Sequence, residues 1–169
     1  MKYTHVLSAS VAAVLSLALL SAPSAFAASP ATTTIAVSAT VANTCTLTAG
    51  TLPFGTYSGA KLSVTGTFTA NCTTGADFIV ALDKGVGTGA TLANRLMTNT
   101  TNTAFTLGYS IYTTSGGATV WGDGTNGSST VTELGTGAAI TYNVYGVIPA
   151  TEAALSGTYQ DTVTATVTY

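Results

Sequence analysis

The sequence predicts an all-β fold. After residue 28 no stretch places apolar side chains at the helical period of 3.6, whereas several alternate apolar residues with Thr and Ser at period 2. Clusters of Gly, Asn and Thr separate these stretches, as turns do between strands. About six or seven strands fit into this length, and that number favours a sandwich of two sheets.

The N-terminus is typical of an export signal. An apolar run over residues 11–20 is followed by Ser24-Ala25-Phe26-Ala27, which has small residues at the positions that a signal peptidase recognises. The run is shorter than the roughly 20 apolar residues of a membrane-spanning helix. We therefore expect residues 1–27 to be a signal peptide cleaved between Ala27 and Ala28, and the mature chain to be exported.

Charge and histidine content exclude several classes of function. Charged residues make up 6% of the chain and the formal net charge is −2, so there is no basic surface for nucleic acid. The only histidine, His5, lies in the expected signal peptide. The mature chain therefore has no Ser/His or Cys/His pair and no ordinary zinc site, and we expect no cofactor, no metal and no enzyme activity.

Two cysteines predict a disulfide. Cys45 and Cys72 both remain after cleavage, and an even number of cysteines in an exported protein indicates pairing. Closing a loop of roughly 27 residues removes chain entropy worth about 3 to 4 kcal/mol from the unfolded state. We expect this disulfide to stabilise the domain.

The middle of the chain divides into candidate strands and loops. Residues 62–72 and 78–82 alternate and are joined through Thr73-Thr74-Gly75, which predicts a hairpin whose two strands pair. Residues 85–104 show no sustained alternation, so we expect a long loop there, with a short helical turn near residues 92–97.

The second half of the chain alternates more clearly. Residues 105–111 alternate, and Val120-Trp121 follows the Gly116-Gly117 turn, which predicts a second hairpin. After a Gly-rich turn over residues 122–127, alternation resumes at residues 140–144. The final strand is expected to be the longest and to run without interruption from Tyr159 to the C-terminus.

Two alternating segments, one at each end of the mature chain, lack local partners. The N-terminal one contains Ile35, Val37, Ala39 and Val41, and the other is the terminal strand. Neither carries a Lys, and edge strands are normally protected by Lys, Pro or a bulge. Either the two ends pair within one closed domain, or the N-terminal strand inserts into another copy of the chain. The second arrangement is head-to-tail and generates filaments; the spacing does not decide between them.

The other side chains that could be catalytic or bind a sugar also have structural explanations. The pairs Asp83 with Asp123 and Asp123 with Glu133 are the carboxylates to consider for glycoside hydrolysis, but carboxylates in Gly-rich turns are typical turn formers. Trp121 beside a turn suggests a sugar platform, whereas the family resemblance described below implies that it packs in the core. Asp161 lies on the apolar side of its strand, which predicts a buried acceptor for backbone donors.

Short motifs in order along the mature chain carry a resemblance to a known family. They are Val41-x-x-x-Cys45, Leu52-Pro53-Phe54-Gly55-x-Tyr57, Asn71-Cys72-Thr73, Ile79-x-x-Leu82, Arg95-x-Met97, Leu107-x-Tyr109-x-Ile111-Tyr112, Trp121-Gly122-Asp123, Tyr145-Gly146 and Gly157-x-Tyr159-x-Asp161-Thr162-Val163. In this order and spacing the chain resembles the spore coat protein U-like domain, found in subunits of archaic, Csu-type chaperone–usher pili.

The resemblance implies an incomplete immunoglobulin-like β-sandwich that is completed by a donated strand. The domain would span residues 44–169, after an N-terminal donor-strand extension at residues 28–43. The donor side chains would be those of Ile35, Val37, Ala39 and Val41. The acceptor groove, which also binds the chaperone, would have an edge formed by Val163, Ala165, Val167 and Tyr169.

The resemblance also implies partners and a location. A periplasmic chaperone would lend a strand, and an outer-membrane usher would exchange it for the extension of the next copy, with tip or adaptor subunits in the same filament. The extension and the single domain favour a polymerising shaft subunit, the major pilin in the terms of this family, that supports surface attachment and biofilm formation. The alternative is a monomeric secreted spore or cyst coat protein, or a carbohydrate-binding β-sandwich module.

Overall fold

The computed structural model describes residues 28–169, which contain strands and no helix. The expected signal peptide therefore lies outside the described residues, and Ala28 is the first of them. In the described part of the chain, no helix has the length and hydrophobicity of a membrane span. The chain divides into two units with a boundary after Ala39.

The described part of the first unit, residues 28–39, contains no strand. The side chains of Ile35 and Val37 are 83% and 90% exposed. The predicted alternation is present in the sequence, but a strand is defined by hydrogen bonds to a neighbouring strand, and this segment forms none.

The second unit, Thr40–Tyr169, holds all the strands of the described region. They are β1 (Cys45–Thr51), β2 (Leu62–Cys72), β3 (Asp77–Leu82), β4 (Arg95–Asn99), β5 (Thr106–Tyr112), β6 (Val131–Leu134), β7 (Ala139–Ile148), β8 (Tyr159–Gln160) and β9 (Ala165–Thr168).

The strands form two antiparallel sheets. The larger has six strands in the order β1-β2-β7-β5-β4-β8, and the smaller has three in the order β6-β3-β9. Alternate side chains of β2, β3 and β7 are buried in one core between the sheets. The period-2 pattern thus reports burial on one face of each strand, and the all-β prediction is confirmed.

Trp121 is part of this core. It is 1% exposed and packs its ring against Phe68 of β2 and Tyr142 of β7, at centroid distances of 5.6 and 6.1 Å. The indole nitrogen donates a hydrogen bond to the carbonyl oxygen of Val80 in β3. The structural interpretation of Trp121 is confirmed, because a side chain buried in this way offers no platform to a sugar.

The predicted pairing of the first hairpin is wrong. β2 pairs with β1 and β7, whereas β3 pairs with β6 and β9, so the two strands belong to different sheets. The turn at Thr73-Thr74-Gly75 is an arch between the sheets rather than a hairpin loop. The amide of Gly75 donates to Gly135, on the chain that leaves β6, which ties the arch to a third segment.

The helical turn expected near residues 92–97 is also wrong, because strand β4 occupies residues 95–99. Its buried side chains are those of Arg95, Met97 and Asn99. Two of these three inward residues are polar, and this obscured the alternation that would have identified the strand. The second hairpin is confirmed: Trp121 donates its backbone amide to Ile111, and Val120 forms a bridge with Tyr112.

The final segment is not one long strand. β8 pairs with β4 in the six-stranded sheet, β9 pairs with β3 in the other sheet, and residues 161–164 between them belong to neither ladder. The change of sheet occurs at Asp161. Its carboxylate accepts hydrogen bonds from the backbone amides of Val86 and Thr162, in place of the carbonyl groups of a neighbouring strand. Alternation continues through this point, so the sequence pattern does not reveal it.

Candidate functional site, a groove between two open strand edges

An open groove of about 930 Å³ lies between the edge of β1 and the segment that joins β8 to β9. Its floor is the apolar core, including Phe68, Leu82, Met97, Ile111 and Val144. One wall is residues 47–54 and the other is residues 159–165. The groove therefore reaches the hydrophobic core, whose side chains at its floor are 3–9% exposed, along a line between the two sheets.

The β1 wall presents unused backbone groups. In the antiparallel ladder with β2, Thr44 pairs with Thr73 through the hydrogen bond that the Thr73 amide donates to the Thr44 carbonyl. Because hydrogen-bonded and non-bonded pairs alternate, Thr46 and Thr48 also face β2 with their backbone groups. The backbone groups of Leu47, which lines the groove, consequently point away from β2; beyond Thr48 the register shifts at a bulge and the regular alternation ends.

The opposite wall has the same property. The amide of Asp83 donates to the carbonyl oxygen of Thr164 at 3.0 Å, which makes this a hydrogen-bonded pair at the end of the β3–β9 ladder. By the same alternation, the backbone groups of Val163 and Ala165 point away from β3. Two strand edges with available donors and acceptors thus border one apolar groove.

One end of the groove is closed by the segment that follows β1. The ring of Phe54 packs edge-on against Tyr109 at a centroid distance of 5.7 Å. Gly146 makes room for it, since a Cβ there would lie 2.7 Å from the Phe54 ring and 2.8 Å from Leu52. Tyr57 ties the same segment to the chain after β7 by donating to the carbonyl oxygen of Pro149.

Two carboxylates organise the far wall. Asp161 accepts hydrogen bonds from the amides of Val86 and Thr162, both at 2.8 Å, and from the hydroxyl of Tyr109 at 2.6 Å. Asp83 accepts from the amide of Thr164 at 2.9 Å and from that of Gly85, also at 2.9 Å. The expectation that Asp161 accepts backbone donors is confirmed, but the residue is only partly buried.

The electrostatics of this wall follow from burial and hydrogen bonding. Burial opposes ionisation of Asp83, but hydrogen bonds from two backbone amides outweigh it, so the pKa of Asp83 lies below its ordinary value. Burial raises the pKa of Tyr109 well above its ordinary value, and the hydrogen bond to Asp161 acts in the same direction. Burial lowers the pKa of Arg95, although nearby acidic groups oppose that change.

The two cysteines lie beside the groove, at the start of its β1 wall. Cys45 in β1 and Cys72 in β2 are directly opposite in the ladder, with Cα atoms 4.1 Å apart, and they form a disulfide. The bond attaches the first residue of β1 to the last residue of the long strand β2. It therefore anchors an edge strand that has only one strand neighbour.

The residues expected at the acceptor edge fall in two groups. Val163 and Ala165 line the groove, and Val167 packs on the core at the end of the same wall. Tyr169 is 55% exposed at the C-terminus. The β1 wall was not among the expected site residues, although the Leu52-Pro53-Phe54 motif was a signal for part of it.

The expected donor residues occur on the exposed extension. Of these, Ile35, Val37 and Val41 are between 80% and 90% exposed, a high value for aliphatic side chains. Ala39 is exposed as well. Their alternation places all four on one side of an extended chain.

The other candidate residues have structural environments. Asp123 accepts hydrogen bonds from the amide and hydroxyl of Thr125 and so organises its own turn. Glu133 is exposed on β6, and Asp83 is occupied by the backbone contacts already described. Within residues 28–169, no three His, Cys, Asp or Glu side chains are grouped as metal ligands would be.

Comparisons with known proteins agree with these features. The family described as Spore Coat Protein U domain matches residues 31–166. Protein U from Myxococcus xanthus is 34% identical over 175 residues, which covers 94% of this chain and 96% of that protein. Both matches include the expected donor extension as well as the sandwich.

A solved structure is similar in fold. It is the CsuC–CsuE chaperone–tip adhesion subunit pre-assembly complex from archaic chaperone-usher Csu pili of Acinetobacter baumannii. The TM-score is 0.55 at 26% sequence identity, over 77% of this chain and 41% of the matched chain. This chain thus spans less than half of that one. By its sequence and by its incomplete two-sheet fold, the chain belongs to the spore coat protein U domain family.

Proposed function

We propose that this protein is a structural shaft subunit of a chaperone–usher pilus and that it polymerises by donor-strand complementation. The observation that carries the proposal is the apolar groove between two strand edges whose backbone groups point into it. A strand placed there would pair with β1 on one side and with residues 163–165 on the other. It would also cover the exposed part of the core.

The N-terminal extension has the properties that such a strand needs. Residues 35–41 would extend over about 23 Å, the same length as the seven-residue strand β1. Each Ile or Val side chain that leaves water for the groove contributes about 1.5 to 3 kcal/mol. The extension and the groove are different surfaces of one chain, so the contact between copies is head-to-tail and produces an open filament.

The exposed groove and the family of the chain support the partners that we propose. Before assembly, the groove is an exposed apolar site with unpaired edges, and these are the features that promote aggregation. A periplasmic chaperone that supplies a temporary strand would protect it, and an outer-membrane usher would exchange that strand for the extension of the next copy. The assembled filament would lie at the cell surface, where it supports attachment and biofilm formation.

A substitution on the donor face tests the proposal. In the mature chain, Val37→Asp would place a carboxylate in the apolar groove, whereas Ser38→Asp places one on the opposite side of the same strand. We expect the unsubstituted chain and Ser38→Asp to form filaments in electron micrographs and large species in light scattering. Val37→Asp should remain monomeric.

A peptide completes the test. Residues 29–43 added in trans should raise the melting temperature of the Val37→Asp chain, and the same peptide with Val37→Asp should not. If the unsubstituted chain is a stable monomer at all concentrations and ignores the peptide, the sandwich closes on itself. In that case the protein acts as a monomeric coat or binding module instead.

A further inference from the structure

The wall of the groove at residues 161–164 is held in an unusual way. β8 ends at Gln160 and β9 begins at Ala165, so these four residues belong to neither strand, and one backbone hydrogen bond, from the Asp83 amide to the Thr164 carbonyl, extends a ladder into them. Segments outside strand ladders are generally more mobile than strands and open locally at a lower free energy. Here side-chain carboxylates replace the missing ladder.

Asp83 continues the β3–β9 ladder by one position. Its amide donates to the Thr164 carbonyl as an ordinary strand residue would, but the return hydrogen bond from the Thr164 amide goes to the Asp83 carboxylate at 2.9 Å. The carbonyl oxygen of Asp83 is used elsewhere: Arg95 donates to it from Nε at 2.9 Å and from Nη2 at 2.7 Å. Arg95 is fully buried, so it fixes Asp83 from inside the core.

Asp161 secures the other end of the segment. One of its oxygens accepts from the amides of Val86 and Thr162, and the other accepts from the Tyr109 hydroxyl. Gly85 allows this approach, because it has a positive φ of 79° and a Cβ there would collide with the Asp161 carboxylate. The segment is thereby tied to β5 and to the loop after β3.

We propose that Asp83 and Asp161 are positioning residues for strand capture, which keep residues 161–164 in pairing geometry while the groove is empty. The inference rests on the proposed function and adds to it a mechanism of preorganisation. With both carboxylates in place, the backbone groups of Val163 point into the groove before a donor arrives. Without them, the donor must also order this wall, and binding is weaker and slower.

The acceptor for the test is the full mature chain carrying Val37→Asp, which cannot donate its own strand. Binding of the peptide of residues 29–43 is measured by stopped-flow fluorescence and by calorimetry. We expect Asp161→Ala and Asp83→Ala each to weaken peptide affinity by about tenfold or more, through a slower association rate. Asp161→Asn retains an acceptor for the two amides and should recover part of the loss.

The matched control is Asp123→Ala. It removes a carboxylate that also accepts hydrogen bonds from a backbone amide and a hydroxyl, but in a turn outside the groove. It should leave the peptide affinity unchanged. Hydrogen exchange of the Val86, Thr162 and Thr164 amides provides a second measurement: it should accelerate in the two Ala variants before peptide is added and return to the reference rate afterwards.

The outcomes separate the two proposals. If the Val37→Asp acceptor does not bind the peptide at all, donor-strand complementation fails. If it binds and the Ala variants bind with the same affinity and rate, the positioning role is overturned while strand donation stands. If Asp161→Ala does not fold, Asp161→Asn and Asp83→Ala decide the question by the same measurements.

Discussion

The indole nitrogen of Trp121 donates a hydrogen bond to the carbonyl oxygen of Val80 at 3.1 Å, and this bond joins the loop after β5 to the central strand of the smaller sheet. The same ring packs on Phe68 of the larger sheet. Because the sandwich is open along the groove, contacts that connect the two sheets elsewhere are important for its stability. Trp121 makes two such contacts with one side chain.

Replacing Trp121 should therefore destabilise the domain strongly. We expect Trp121→Ala to lower the free energy of unfolding by about 3 to 5 kcal/mol, because it leaves a cavity in the core. Trp121→Phe should cost about 1 to 3 kcal/mol, since the Val80 carbonyl loses its donor. Urea unfolding measures both. Thr141→Ala, at an exposed position of β7, is the control and should stay within about 0.5 kcal/mol.

Loss of the disulfide should destabilise the domain through the unfolded chain. We expect the double variant Cys45→Ala, Cys72→Ala to lose about 3 to 4 kcal/mol, as the closed loop of 27 residues predicts. Differential scanning calorimetry with and without reductant measures the effect. Reductant should lower the melting temperature of the unsubstituted protein and not that of the double variant; an equal response would contradict the assignment.

Asp83 should make stability sensitive to acid. Its pKa in the folded protein lies below the ordinary value of 3.8, so its contribution is complete above that pH and is lost as the pH falls through the folded pKa. Arg95, which faces it, stays charged throughout this range. Below about pH 4, we expect the free energy of unfolding of Asp83→Asn to fall less steeply with decreasing pH than that of the unsubstituted protein. Superimposable pH profiles in urea unfolding would contradict the prediction.

Tyr142 should be a site where a smaller side chain stabilises the protein. Its hydroxyl is buried and has no hydrogen-bond partner among residues 28–169, so Tyr142→Phe should raise the free energy of unfolding by about 1 kcal/mol. Burial, followed by the charge of Glu133, raises the pKa of Tyr142 from 10.0 to about 12.

The raised pKa of Tyr142 also predicts behaviour in alkali. A group that is harder to ionise in the folded state contributes stability below its unfolded pKa, and that stability is lost as the pH rises from 10 towards 12. Tyr142→Phe should therefore reduce the slope of the alkaline limb. Tyr109 also titrates at high pH, so a remaining slope is expected. An unchanged slope would argue against ionisation at Tyr142.

Several features follow from the sequence alone, for local reasons. The period-2 alternation determines that one face of each strand is buried, and this determines the all-β class wherever the inward residues are apolar, as in β2 and β7. Because the sequence contains only two cysteines, Cys45 and Cys72 can form an intramolecular disulfide only with each other. The alternation of Ile35 to Val41 predicts a strand without a local partner, but it does not decide whether that partner is the last strand of the same chain or another copy; the donor-face experiment distinguishes the two.

The tertiary structure alone decided which strands pair. Alternation is the same for a hairpin and for an arch between sheets, so the turn after β2 was misassigned. Buried polar side chains hid β4. Arg95 donates to the carbonyl oxygens of Asp83 and Trp121, which lie 12 and 26 residues away, whereas Asn99 accepts hydrogen bonds from the nearby amides of Thr101 and Asn102. The groove wall at Asp161 arises in the same way: a carboxylate replaces strand pairing only where folding brings Val86 and Tyr109 to it. Such contacts between distant segments leave no periodic signal in the sequence.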